Sequence, residues 1–240
     1  MENFKGHVAI VTGGGTGIGR ALALALAKEG AKVVICGRRE APLRDVVEVM
    51  ASDGREGIWV QGDVSQEEDV ERVIQETLAC FGTIDILINS AGISGGGRIH
   101  EHNVRMWDQI LAVNLRGPFL MARAVLPMMR ERGRGEIVNI SSESGLEYYE
   151  GDGAYGVSKH ALNALGEYIQ RENQSLGIRV HTICPGMVVT EMSQGSPGLN
   201  YAKCLRPEDV ADLVLWQLSR WENIKIGRPV LIQTMENPWD

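Results

Sequence analysis

Short apolar runs rich in valine and isoleucine recur along this chain, each followed by a turn and a longer helix-forming stretch. The first run, His7 to Thr12 (His-Val-Ala-Ile-Val-Thr), is short, continuous and β-branched, as in a strand buried on both faces. Further strands are predicted at Lys32 to Cys36, Gly57 to Gln61, Ile84 to Asn89, the run Ile137 to Ile140, Arg179 to Cys184 and Pro229 to Thr234. Helices are predicted from Arg20 to Lys28, about Ala41 to Ser52, Glu67 to Phe81, Asn103 to Arg132, Ala154 to Ser175 and Arg206 to Ser219, the last with Pro207 in its first turn. Strand and helix alternating with turns at each boundary predict an α/β fold, a doubly wound parallel sheet with helices on both faces. Pro118 cannot donate to the carbonyl four residues back, that of Asn114, so a bend and a free Asn114 carbonyl are expected there. Residues Glu191 to Leu205, rich in Ser, Gly and Met, read as a mobile lid.

Bulk composition narrows the class. At 240 residues and 44% hydrophobic, the chain can bury the core of a single α/β domain spanning residues 1–240, with no internal repeat and no linker. A net charge of −7 and the lack of a long Lys/Arg run argue against nucleic acid or an anionic membrane as the partner. Four scattered cysteines without a C-x-x-C pair suit reduced thiols, no basic leader precedes the first apolar run, and the longest unbroken apolar run, Ala21 to Ala27, is too short for a bilayer. A cytoplasmic protein is expected. His100 and His102 lack a third ligand in register and read as loop residues, so no metal site is expected.

Candidate chemistry falls at the predicted strand ends. The turn Gly13-Gly14-Gly15-Thr16-Gly17-Ile18-Gly19 lies between a strand and a helix, where glycines admit a pyrophosphate and the helix N-terminus offers unpaired N–H groups. Its spacing is G-x-x-x-G-x-G, and the alternative is a glycine-rich turn without a ligand. The second strand ends in Gly37-Arg38-Arg39, with no carboxylate to bond the adenosine ribose and two guanidiniums suited to a phosphate. This favours NADP(H) and leaves NAD(H) possible, the alternative being two solvent-facing residues that start the next helix. Asp63, followed by Val64, is placed to meet an adenine amino group or to cap the next helix.

Tyr155 and Lys159 are one helical turn apart, on one face. A phenol titrates near pH 10, and lowering that by about three units takes roughly 4 kcal/mol, available from a nearby ammonium in a shielded cleft. Such a tyrosine exchanges protons with an alcohol or carbonyl oxygen. Ser142 lies thirteen residues earlier, where the strand through Ile140 ends. The bland alternative is an i,i+4 pair decorating a helix surface.

Together Thr12 to Gly19, Asp63, Asn89-Ser90-Ala91-Gly92, Asn114, Ser142, Tyr155/Lys159 and Pro185-Gly186 with Thr190 resemble the short-chain dehydrogenase/reductase family over essentially the whole chain. The resemblance, which includes 3-oxoacyl-carrier-protein reductases and carbonyl reductases, implies a single Rossmann-type domain with a seven-stranded parallel sheet. It implies Tyr155 as general acid/base, Ser142 on the substrate oxygen, Lys159 lowering the tyrosine pKa and bonding the nicotinamide ribose, and Asn114 holding a relay water. It places Gly13, Gly15, Thr16, Gly17, Ile18 and Gly19 at the pyrophosphate, Arg38 and Arg39 at the ribose phosphate, and Asp63, Val64, Asn89, Ala91 and Gly92 on the adenosine side. Pro185, Gly186, Val188, Thr190 and Met192 fall beside the nicotinamide. Thr16, where many NADP users carry a basic residue, and Ser90 depart from the usual pattern. The activity implied is hydride transfer between NADP(H) and a small-molecule carbonyl or alcohol. The alternatives are an NAD-dependent alcohol dehydrogenase and a non-catalytic nucleotide sensor. A dimer or tetramer is expected through the two long helices, with Leu120, Met121, Met128, Leu165 and Tyr168 facing outward. Glu143, Ser144, Glu147, Tyr149, Met187 and Met192 are candidate substrate contacts, Glu147 hinting at a polar or cationic group.

Overall fold

The computed structural model describes residues 3–220, 224–227 and 229–240. Its strands are β1 (Val8–Thr12), β2 (Lys32–Gly37), β3 (Gly57–Gln61), β4 (Ile86–Asn89), β5 (Gly135–Ile140), β6 (Ile178–Pro185) and β7 (Val230–Ile232). They form one parallel sheet in the order β3-β2-β1-β4-β5-β6-β7. The helices are α1 (Gly17–Lys28), α2 (Glu40–Ser52), α3 (Glu67–Phe81), α4 (Val104–Leu111), α5 (Gly117–Arg132), α6 (Gly153–Asn173) and α7 (Pro207–Leu218). This is the seven-stranded, Rossmann-like architecture expected from the alternation of runs.

Successive strand residues point to opposite faces, so each central strand feeds two apolar layers. Ala9 and Val11 pack with Leu22, Leu26, Val46 and Val214 of α1, α2 and α7, whereas Ile10 packs with Val73, Met121, Val125 and Ile169 of α3, α5 and α6. Strand order reverses between β1 and β4, and the crevice beyond their carboxyl ends is where such sheets take ligands. Thr12 ties the two ends together, its hydroxyl accepting the Ser90 and Ala91 N–H groups at 3.0 and 3.1 Å.

Two expectations are corrected here. The single bent helix from Asn103 to Arg132 is α4 and α5 joined by a π-helical turn, Ala112–Arg116. Pro118 has no N–H to give, and the chain absorbs this by widening the turn before it: the Gly117 N–H reaches Ala112, five residues back. Leu120 and Met121 do not face outward; both are buried, Met121 completely, under the sheet. Tyr168 is exposed as expected, and Phe119 is exposed where Leu120 and Met121 are not. By length and composition the stretch Val104–Arg132 passes for a membrane-crossing helix, but half of its most apolar window is buried in the protein core.

Candidate active site

Beyond β1, the chain turns so tightly that side chains have no room. Gly13 has φ +67°, and a Cβ there would come within 2.9 Å of the Ala91 backbone. A Cβ on Gly19 would lie 2.3 Å from the Gly13 carbonyl oxygen. The first turn of α1 carries no acidic residue, and Thr16 at its N-cap makes no side-chain cap, so its positive end faces the crevice uncovered. A groove of about 450 Å³ runs from this loop past Ala91 and Gly92 to Tyr155, Lys159, Thr190 and Met192. A cleft of about 160 Å³ adjoins it, walled by Gly15, Thr16, Arg38, Arg39, Asp63 and Val64. Together they form a trough whose glycine cradle, open helix end and paired guanidiniums fit an elongated phosphorylated dinucleotide.

Most residues singled out in the sequence converge on this trough; a few are placed otherwise. Asn89 is buried in the sheet, and its amide donates to Asn139 Oδ1 at 2.9 Å, so its side chain is a strut between β4 and β5 and lines none of these cavities. Asp63 Oδ1 accepts from the Ser65 N–H at 2.9 Å and the Ser65 hydroxyl at 2.7 Å, which closes the turn before α3. Arg39 pairs with Glu191 at 2.6 Å, an exposed bridge between the end of β2 and the segment after Thr190. That segment does not hang loose at its far end: Leu205 exchanges backbone hydrogen bonds with Met187 and Val189 at 2.9 Å. His100 makes an exposed contact with Glu101, and His102 lies edge-on to Trp107.

Ser142, Tyr155 and Lys159 come together where β5 ends and α6 begins. Lys159 is buried and donates to the Ile140 carbonyl at 2.9 Å, with its ammonium 5.4 Å from the Tyr155 ring centroid. Behind it Asn114 is fully engaged: Oδ1 accepts from Ile93 at 2.9 Å, and Nδ2 donates to the Ile93 carbonyl and to Ser158 Oγ at 2.9 and 3.0 Å. Ser158 passes this on, donating to the Tyr155 carbonyl at 2.6 Å. No sequence signal marks Ser158, since an inward serine one turn along a helix is unremarkable until its neighbours are known.

The electrostatics correct the expected lowering of the Tyr155 pKa. Burial pushes the phenol up to about 12, partly opposed by a hydrogen bond from Ser142, while the carboxylates of Asp152 and Glu143 raise it further. Burial likewise pushes Lys159 down to about 8. The ammonium bonds the Ile140 carbonyl rather than the phenol oxygen, so desolvation outweighs attraction. In the window between about 8 and the ordinary lysine value of 10.5 the unfolded chain therefore binds the extra proton. The Lys159 contribution to stability should rise with pH across that window. Melting temperatures of wild type and Lys159→Met followed through it should converge upward for the wild type; a flat difference would contradict the burial argument.

A second cavity of about 450 Å³, which Tyr155 lines and Lys159 does not, is also lined by Ser142, Glu143, Tyr149, Asp152, Met187 and Trp239, among others. Tyr155, Ile18, Thr190 and Met192 line both this cavity and the long groove. Asp152 and Trp239 were not foreseen. Asp152 lies one turn before Tyr155, where spacing alone points to it; Trp239 arrives from the far end of the chain without a local signal.

Residues 7–197 match the family model described as short chain dehydrogenase. An uncharacterised oxidoreductase of Staphylococcus aureus is 36% identical over 234 residues, covering 96% of this chain and all (100%) of that protein. A homologous uncharacterised oxidoreductase of Staphylococcus epidermidis is 32% identical over the same share of both chains, 96% and 100%. Among solved structures, levodione reductase superposes with a TM-score of 0.89 at 28% identity, over 96% of this chain and 97% of that one. A metagenomic short-chain oxidoreductase in complex with NADP gives 0.85 at 32% identity, over 98% and 100%. An alcohol dehydrogenase of the archaeon Thermococcus sibiricus, complexed with 5-hydroxy-NADP, gives 0.89 at 27%, over 97% and 98%. With its sheet order, its glycine turn and its Ser142, Tyr155 and Lys159 gathered at one strand end, this chain belongs to the short-chain dehydrogenase family.

Proposed function

We propose that the protein is an NADP(H)-dependent oxidoreductase that interconverts a small-molecule carbonyl and the corresponding alcohol. The observation that carries this reading is the position of Tyr155, in the wall shared by the dinucleotide trough and the second cavity. A proton donor there reaches a substrate oxygen while the substrate carbon faces the trough. The trough residues fit a nicotinamide dinucleotide: the Gly13 to Gly19 turn for the pyrophosphate, Arg38 and Arg39 for a ribose phosphate, and Lys159, Thr190 and Met192 for the nicotinamide end. When bound, the reduced cofactor supplies a hydride to the carbonyl carbon.

The protein's part is to hold the oxygen and supply the proton. In reduction, Tyr155 gives its hydroxyl proton to the oxygen as charge develops there, and Ser142 donates a hydrogen bond to the same oxygen. Burial holds the phenol in its protonated form, the form that this direction needs. The Lys159 ammonium keeps positive charge beside the ring, and Asn114 with Ser158 holds the backbone at Tyr155 in place. The known NADP complexes of two structurally similar proteins lend support to the cofactor choice. An assembly of two or four chains would use the largely apolar groove formed by Leu111, Leu115, Phe119 and Leu165 on α4, the π-helical turn, α5 and α6.

Titration of nicotinamide fluorescence tests the cofactor. NADPH should bind at least tenfold more tightly than NADH, one charge-assisted phosphate contact being worth about 1.5–3 kcal/mol. Arg38→Ala should erase most of that preference and leave NADH affinity nearly unchanged. Equal binding of the two cofactors by the wild type would instead favour the NAD-dependent alcohol dehydrogenase.

A further inference from the structure

The substrate cavity has a one-sided charge. Its lining contains two carboxylates, Glu143 and Asp152, and no lysine, arginine or histidine. Neither carboxylate is in an ion pair among the described residues. Glu143 is held by a neutral group, the Gln233 amide, which donates to Oε2 at 2.5 Å from just beyond β7. The seat for that carboxylate is built by Gly186 at the end of β6: a Cβ there would lie 3.1 Å from Oε2 and 3.0 Å from Gln233 Cγ. Asp152, half-buried, is bonded by the Ser144 hydroxyl. Three separate elements thus place an uncompensated negative charge in a half-enclosed cavity that also presents the Tyr155 hydroxyl.

We propose that this cavity selects carbonyl substrates, or their alcohols, that carry a positively charged amine, with Glu143 as the group that receives it and Asp152 as its second partner. The inference rests on the oxidoreductase reading and specifies its substrate class. Burial already disfavours the charged form of Asp152, a cost that a countercharge would lift, and nothing in the cavity wall supplies one. A cationic substrate does. The rings of Tyr149 and Trp239, on the same wall, add a face that favours ammonium groups. The charges of Glu143 and Asp152 also reach the Tyr155 hydroxyl and hold its proton more tightly, and a bound cation offsets both. Carbonyl compounds bearing phosphate or carboxylate meet repulsion at the same place, which sets this cavity apart from one built for acidic acyl carriers.

The test is a pair of ketones matched in shape. One is a cyclohexanone carrying a gem-dimethyl group opposite the carbonyl; the other is its quaternary ammonium isostere, with nitrogen in place of that carbon. With NADPH, kcat/KM for the cation should exceed that for the neutral ketone at least tenfold, on the order of a partly desolvated ion contact supported by cation–π attraction. In Glu143→Gln, which keeps the shape and an acceptor for Gln233, the ratio should fall towards one, and Asp152→Asn should lower it less; NADPH titration reports that each variant is folded. A wild type that reduces the neutral ketone as well as the cation overturns the inference and leaves the oxidoreductase reading standing. So does a ratio that neither substitution changes. Failure to reduce either ketone with NADPH or NADH would count against the oxidoreductase reading itself, and the inference would fall with it.

Discussion

Phenylalanine in place of Tyr155 should lower kcat for carbonyl reduction by a factor of roughly 10² to 10⁴, the usual worth of a positioned general acid. The substitution removes one hydroxyl and nothing else from the wall between the two cavities. The ring stays, so the contact with the Lys159 ammonium 5.4 Å from its centroid is kept, as is the Ser158 bond to the backbone carbonyl at 2.6 Å. What is lost is the proton delivered to the oxygen and the partner of Ser142. Cofactor affinity should therefore change by less than about threefold, since an effect confined to turnover marks an interaction made only in the transition state. Single-turnover oxidation of NADPH, beside a fluorescence titration, separates the two quantities. Turnover within threefold of the wild type would show that the proton comes from elsewhere.

Alanine at position 19 should be the most damaging single-methyl change in the cofactor trough. The new Cβ would lie 2.3 Å from the Gly13 carbonyl oxygen and 2.8 Å from its carbon, both backbone atoms that no rotamer change moves. The loop must open, and because Gly13 is itself within 2.9 Å of the Ala91 backbone, the strain passes to the β4 end. Overpacking of this kind costs about 1–3 kcal/mol of stability. Cofactor affinity should fall at least tenfold, because the N–H groups of the glycine turn no longer converge on one anion. A melting curve beside an NADPH titration checks both, and an unaltered affinity would remove the pyrophosphate from this loop. Alanine at Gly54, where nothing lies within 4 Å although φ is +69°, provides a control that strains only the backbone.

Local pattern carried far in this protein because its sheet is parallel and buried on both faces. Val8 to Val11 and Val33 to Cys36 are continuous apolar runs, of the kind a strand buried on both faces takes, so strand number and order of elements could be read directly. The site was legible for a related reason. In a doubly wound sheet each catalytic or cofactor group comes from a strand end or a helix start, and those are the places where glycine, proline and short polar clusters stand out. Long-range partnerships left no such mark. Asn89 reads as a cofactor contact from its motif, yet its side-chain nitrogen donates to Asn139, fifty residues away. Leu120 and Met121 read as an outer face, but the π-helical turn before Gly117 sets the rotation of α5 and sends them inward.

The fold class, the glycine turn, the Arg38–Arg39 pair and the candidate set Ser142, Tyr155 and Lys159 can be read from the chain, because each follows from backbone allowance or from spacing along one element. The tertiary structure alone decided the balance of charge at the site. Burial dominates both Tyr155 and Lys159, and the Lys159 ammonium directs a hydrogen bond to the Ile140 carbonyl across the β5–α6 junction. It also brought Gln233 to Glu143 across ninety residues of chain, giving the cavity beside Tyr155 its fixed carboxylate. Desolvation and cross-chain contact are properties of the packed whole, and no window of sequence contains them.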